Sequence, residues 1–117
     1  MEAMNLFEKL AKVNEYWSPK IVAELNDSYV KVVKLKGEFI WHHHEHEDEL
    51  FLVVKGTLRM LFREVQIREG EFLVVPKGVD HLPVAEQEVH VVLLEPKSTL
   101  NMGNVRNERT LMELERI

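Results

Sequence analysis

Four of the six histidines of this 117-residue chain fall in one stretch, Trp41-His42-His43-His44-Glu45-His46-Glu47-Asp48-Glu49. Imidazoles and carboxylates this dense are the usual ligands of a divalent transition metal. The plain alternative is a solvated loop rich in histidine. In an extended strand, residues two apart share a face. His42 and His44 then point one way and His43 the other, and His46 keeps their parity if the strand runs that far. Glu49 opens the next apolar run, with Phe51 and Val53 on its face. If the two strands are neighbours, Glu49 lies beside the histidines. Two imidazoles and a carboxylate with open positions suit a metal that also binds water or a small molecule. A third imidazole has to come from farther along the chain. His81, after the turn Pro76-Lys77-Gly78, is one source. His90, in the alternating run Glu88-Val89-His90-Val91-Val92-Leu93, is the other.

The elements that must hold these groups are strands. Runs of Val, Ile, Leu, Phe and Tyr alternate with Gly, Asn, Asp and Pro. Strands are expected near 21–24, 29–36, 39–44, 50–54, 57–62, 65–68, 72–75, 81–84 and 89–95. Many short strands without a βαβ alternation predict an antiparallel sandwich or barrel. Ahead of them, Leu6, Leu10, Val13 and Trp17 recur at helical spacing, Asn5 is a good N-cap, and Ser18-Pro19 ends the pattern. That predicts a helix over 5–17 covering one side of the domain. The expected layout is a helical segment at 1–18, a β-barrel at 19–96, and a loop and arm at 97–117. Met60, Phe62, Phe72 and Phe51 are expected to line the barrel.

Composition narrows the classes. There is no cysteine, so disulfides and thiolate sites are excluded and any metal is held by nitrogen and oxygen. The net charge is −5 and the Lys and Arg residues are scattered, which argues against a nucleic-acid groove. No apolar run approaches the ~20 residues of a membrane helix. The N-terminal residues carry no secretory pattern, and a cytoplasmic location is expected. A core of this size is modest, which makes a homodimer the expected assembly.

Two spaced patterns resemble the motifs of the cupin superfamily. The first comprises Gly37, His42-His43-His44, Glu49 and Gly56, with four residues between His44 and Glu49 and six between Glu49 and Gly56. The second comprises Gly70, Pro76-Lys77-Gly78 and His81, with Ala85 where the family has Asn. The gap after Gly37 is one residue short. The resemblance covers about residues 28–96 and is closest to small single-domain cupins of type 2, labelled mannose-6-phosphate-isomerase-like.

The resemblance implies an all-β chain with a short N-terminal helix, folded as a single double-stranded β-helix, or jelly-roll, barrel. It implies one divalent transition metal per chain (Zn, Fe, Mn, Ni or Co), with His42, His44, Glu49 and His81 as ligands. Glu49 is also the candidate catalytic group, able to bind metal or move a proton. In this register His46 is a residue of the rim or one that supports the ligands from behind, because two residues before Glu49 are too few. A small-molecule ligand is expected in the cavity. Two functions fit: a metal-dependent enzyme of isomerase or oxygenase type, and a non-catalytic module that binds or senses a small ligand.

Overall fold

Alternating inward and outward residues build the barrel. The computed structural model describes residues 1–103 and 113–117. It contains one helix, α1 (Leu6–Ala11), and seven strands: β1 (Lys20–Leu25), β2 (Ser28–Glu38), β3 (Glu49–Lys55), β4 (Leu58–Leu61), β5 (Glu64–Ile67), β6 (Phe72–Val75) and β7 (Leu82–Pro96). All ladders are antiparallel, in the order β1-β2-β7-β3-β6, with β4 joining β5 to β7. The expected all-β architecture with one short helix is what forms. Part of the expected C-terminal arm, 104–112, lies outside the described residues.

β7 organises the sheet because it pairs with β2, β3 and β4. Its inward residues Ala85, Val89, Val91 and Leu93 meet Val33 and Leu35 of β2, Phe51 and Val53 of β3, and Met60 of β4. Each of these Val, Leu, Phe and Met side chains, buried, contributes about 1.5–3 kcal/mol. On the outer face, Leu10 and Val13 pack on Val32 and Val92, with Ile117 beside them. The helical segment therefore covers one side of the sheet.

Three expectations change. The helix stops at Ala11 rather than at residue 17. Asn5 caps it as expected, its side chain accepting from the Glu8 N–H at 3.1 Å. Beyond Ala11, Tyr16 bridges to Lys34, and Trp17 donates its backbone N–H to Lys34 O and its ring N–H to Lys36 O, both at 2.9 Å. These bonds to β2 draw the segment out of the helix and hold Trp17 at φ +59. The strands expected at 81–84 and 89–95 are one strand, β7, because Glu86, Gln87 and Glu88 stay extended and solvent-exposed. Residues 39–44 form no strand. They carry an isolated bridge, His42 to His81, and single bonds from Phe39 N to Pro83 O at 3.1 Å and from Gly78 N to His44 O at 2.7 Å.

Of the four expected barrel residues, Phe51 and Met60 are buried inside, whereas Phe62 and Phe72 are exposed. In β6 the inward residues are Leu73 and Val75, so Phe72 and Val74 face out.

Gly56 closes the β3–β4 turn at φ +88, and a Cβ there would sit 2.8 Å from Glu88 O. Gly70, at φ +81, has nothing within 4 Å of such a Cβ. The left-handed backbone costs a non-glycine residue about 1–2 kcal/mol, and overpacking adds about 1–3 kcal/mol. Urea denaturation should show Gly56→Ala losing about 2–5 kcal/mol and Gly70→Ala about 1–2 kcal/mol. Equal losses would contradict the steric argument.

Candidate metal centre

His42 and His81 are brought together by a reciprocal backbone bridge, His42 N to His81 O at 3.1 Å and His81 N to His42 O at 2.9 Å. Each imidazole then bonds its own backbone two residues back: His42 Nδ1 to Ile40 O and His81 Nδ1 to Val79 O, both at 2.9 Å. A carbonyl oxygen only accepts, so each Nδ1 carries the ring proton and each Nε2 is left with a lone pair. The first of these bonds gives the Ile40 carbonyl a partner although residues 39–44 form no ladder.

His44 and Glu49 complete the group. One ligand atom from each of His42, His44, Glu49 and His81 lies within 4.8 Å of the others, and all four residues are buried. Glu49 Oε1 approaches His44 Nε2 at 3.3 Å and His81 Nε2 at 3.6 Å. Yet His44 Nε2, His81 Nε2 and Glu49 Oε1 make no hydrogen bond of good geometry. Buried polar atoms without partners are costly and uncommon. Lone pairs of nitrogen and oxygen converging on one point are a donor set that can hold a divalent ion.

The charge states fit. Burial pushes His42 down to about 4 against the upward pull of its bond to Ile40 O, and the neighbouring His81 lowers it further. Burial also opposes ionisation of Glu49, but the neighbouring Glu95 and the flanking His44 and His81 outweigh it and hold the carboxyl well below its usual range. His42 is thus a neutral imidazole beside an anionic Glu49 carboxylate, the protonation that metal binding needs.

The other histidines are elsewhere. His46 stands on the rim with its side chain 85% exposed. His90 lies along β7, with Nε2 bonded to Glu88 Oε2 at 2.7 Å. His43 points away from the group, as parity requires, but is half-buried rather than solvated, and its Nδ1 meets Asp80 Oδ1 at 2.8 Å.

A cavity of about 40 Å³ adjoins the group. Trp17, Phe39, Phe51 and Leu93 form its apolar walls, and His42, Glu49, Glu95 and Asn101 its polar side. Trp17 and Phe39 stack at 4.7 Å with planes 10° apart. After β7 the chain returns over the centre: Met102 is fully buried, and a Cβ on Gly103 would meet His43 O. Sequence reasoning missed Trp17, Lys31, Glu95 and Asn101. For Lys31 and Glu95 a signal was present. Lys31 has the parity of Val33 and Leu35, and Glu95 that of Val91 and Leu93, so both occupy inward positions.

With this geometry, residues 29–96 match the family model for the cupin domain, more than half of the chain. The chain belongs to the cupin family. This cupin is 34% identical over 80 residues to the uncharacterised protein YdbB of Bacillus subtilis (strain 168), covering 66% of this chain and 71% of that one. Among solved structures it resembles a cupin-2 domain containing protein from Shewanella frigidimarina NCIMB 400, at 42% identity and TM-score 0.80, over 81% of this chain and 95% of that one. A hydroquinone 1,2-dioxygenase from Sphingomonas sp. TTNP3 shares the fold at 19% identity and TM-score 0.73, over 83% of this cupin and 32% of the longer chain. The β architecture is accordingly the double-stranded β-helix of this family. No helix among the described residues is long and apolar enough to cross a membrane.

Acid should loosen the metal-free protein. His42 titrates near 6.5 when unfolded and about 4 when folded, so between those values the unfolded chain binds more protons and stability falls as pH falls. The loss attributable to His42 is about 3 kcal/mol across that window. Denaturation of the chelated protein at pH 7, 6, 5 and 4 should show it, and His42→Phe should flatten the slope. An unchanged slope in the variant would contradict this assignment.

Proposed function

We propose that this cupin is a metal-dependent enzyme acting on a small molecule in the barrel cavity, with one divalent transition metal per chain bound by His42, His44, Glu49 and His81. The observation that carries the reading is the convergence of unpartnered Nε2 and Oε1 atoms in a buried site. The three imidazoles would bind through Nε2 and Glu49 through Oε1. Bound there, the ion supplies Lewis-acid or redox chemistry to a ligand at its remaining positions. The bonds to Ile40 O and Val79 O hold two imidazoles in orientation, and Trp17, Phe39 and Phe51 keep water away. Isomerase or oxygenase chemistry is the reaction class, with Glu49 as the carboxylate beside the reacting atoms.

The cavity favours a small, largely apolar molecule. Its described lining has no Lys or Arg to receive a phosphate and presents two carboxyl groups, those of Glu49 and Glu95. A sugar phosphate therefore fits poorly.

Protein purified without nickel resin should carry about one divalent ion per chain by mass spectrometry. His42→Ala combined with His44→Ala should remove most of it. Full metal content in that double variant would sink the site.

We further propose a cytoplasmic homodimer. Support for the dimer comes from Phe72 and Val74, exposed on β6 at the end of the strand order. Light scattering should give twice the 13.8 kDa chain mass. A monomer mass would contradict the dimer.

A further inference from the structure

The four ligand groups are approached from two sides that differ in chemistry. His42 and Glu49 line the apolar cavity described above. His44 lines a second, larger cavity of about 360 Å³, whose walls include Glu45, His46, Glu47, Ser98 and Leu100. The histidine segment supplies part of this groove and the chain returning after β7 the rest. Ser98 Oγ joins the two by donating to Glu47 Oε2 at 2.7 Å.

The rim of the groove is anionic. The Glu45 side chain is 67% exposed and that of His46 85%, with His46 Nε2 3.9 Å from Glu45 Oε2. No Lys or Arg is present among the described lining residues. On the buried side stands His44, its ring 2% exposed and neither Nδ1 nor Nε2 hydrogen-bonded. The rings of His42 and His81 are each held by a backbone carbonyl, and that of His44 by none. Its Nε2 is turned to Glu49 Oε1, at 3.3 Å. One imidazole thus belongs both to the groove and to the centre.

The apolar side is unsuited to an entering cation. Its 40 Å³ holds about three waters at ~10–15 Å³ each, fewer than the about six of a hydrated octahedral ion. Stripping that shell between Trp17 and Phe39 leaves a charge in apolar surroundings, which is strongly unfavourable. Carboxylates and an imidazole at a solvated rim replace the waters one at a time instead.

We propose that the groove is the route by which a divalent cation enters the centre. Glu45, His46 and Glu47 capture the ion at the rim, and His44 takes it inward as the first of the four ligands. The inference rests on the four-ligand reading given above. It gives a use to three residues that the centre leaves out, and it separates the path of the ion from the cavity assigned to the small molecule. A cleft lined by opposite charge raises the local cation concentration and speeds association by about 10- to 1,000-fold, an effect that salt screens.

Stopped-flow uptake of cobalt(II) by the metal-free protein, followed by visible absorption, tests the route. The triple variant Glu45→Gln, His46→Gln, Glu47→Gln changes rim side chains only, and the Glu47→Gln amide oxygen still accepts from Ser98. Its uptake at low salt should be about tenfold slower or more, with the final spectrum of wild type because the four ligands are untouched. Added salt should slow the wild type toward the variant. Removing two negative charges elsewhere, in the double variant Glu2→Gln, Glu8→Gln, should change the rate by less than about twofold. Rim-variant uptake as fast as wild type, or equal slowing in the Glu2, Glu8 variant, would overturn the route. So would an altered final spectrum in the rim variant, which would make a rim residue a ligand of the settled ion. Failure of the four-ligand reading looks different: the wild-type chain takes up no cobalt, or the His42→Ala, His44→Ala variant settles to the wild-type spectrum.

Discussion

Two local hydrogen bonds of equal length, His42 Nδ1 to Ile40 O and His81 Nδ1 to Val79 O, are the constraint on which the centre depends. They decide which nitrogen of each ring carries the proton, and so which one points inward with its lone pair. The histidine segment is fastened by one reciprocal bridge and by single bonds at Phe39 and His44 rather than by a strand. Segments so fastened need other support. Asp80 supplies it from one side through His43, and the turn around Gly103 from the other.

Placing four ligand-type groups and an ion pair inside a barrel of seven strands is costly in free energy. Each buried polar group without a partner costs about 1–3 kcal/mol. The offset comes from the apolar floor built by Val33, Leu35, Val53, Met60 and Val91, and from the outer layer of Leu10 and Val13 on Val32 and Val92. Stability and site are thus segregated along the strands. In β3, Val53 and Phe51 belong to the floor and Glu49 to the centre. In β7, Val89, Val91 and Leu93 belong to the floor and Glu95 lies beside the centre.

What the sequence discloses follows from which forces are local. Strand parity is local, and it separated His42 and His44 from His43 correctly even though the segment is not a regular strand. The β runs were legible because inward and outward residues alternate. Helix length was not, since the bonds of Tyr16 and Trp17 to β2 outweigh the helical spacing of Val13 and Trp17. The continuity of β7 was hidden by Glu86, Gln87 and Glu88, which resemble a turn in composition yet sit on an exposed strand surface. Glu49 and the histidines meet, but not because their segments pair. β3 pairs with β6 and β7, and the histidine segment reaches the centre through His81. The inward Lys31 and Glu95 were readable by parity and passed over because charged residues rarely occupy such positions. Trp17 gave no signal, since its place at the cavity depends on a left-handed backbone turn.

Anomalous scattering from a crystal loaded with one equivalent of cobalt(II) locates the ion. A single peak is expected inside the barrel, bounded by Nε2 of His42, His44 and His81 and by Oε1 of Glu49. A peak at His46 on the rim or at His90 along β7, with none between those four residues, would contradict it.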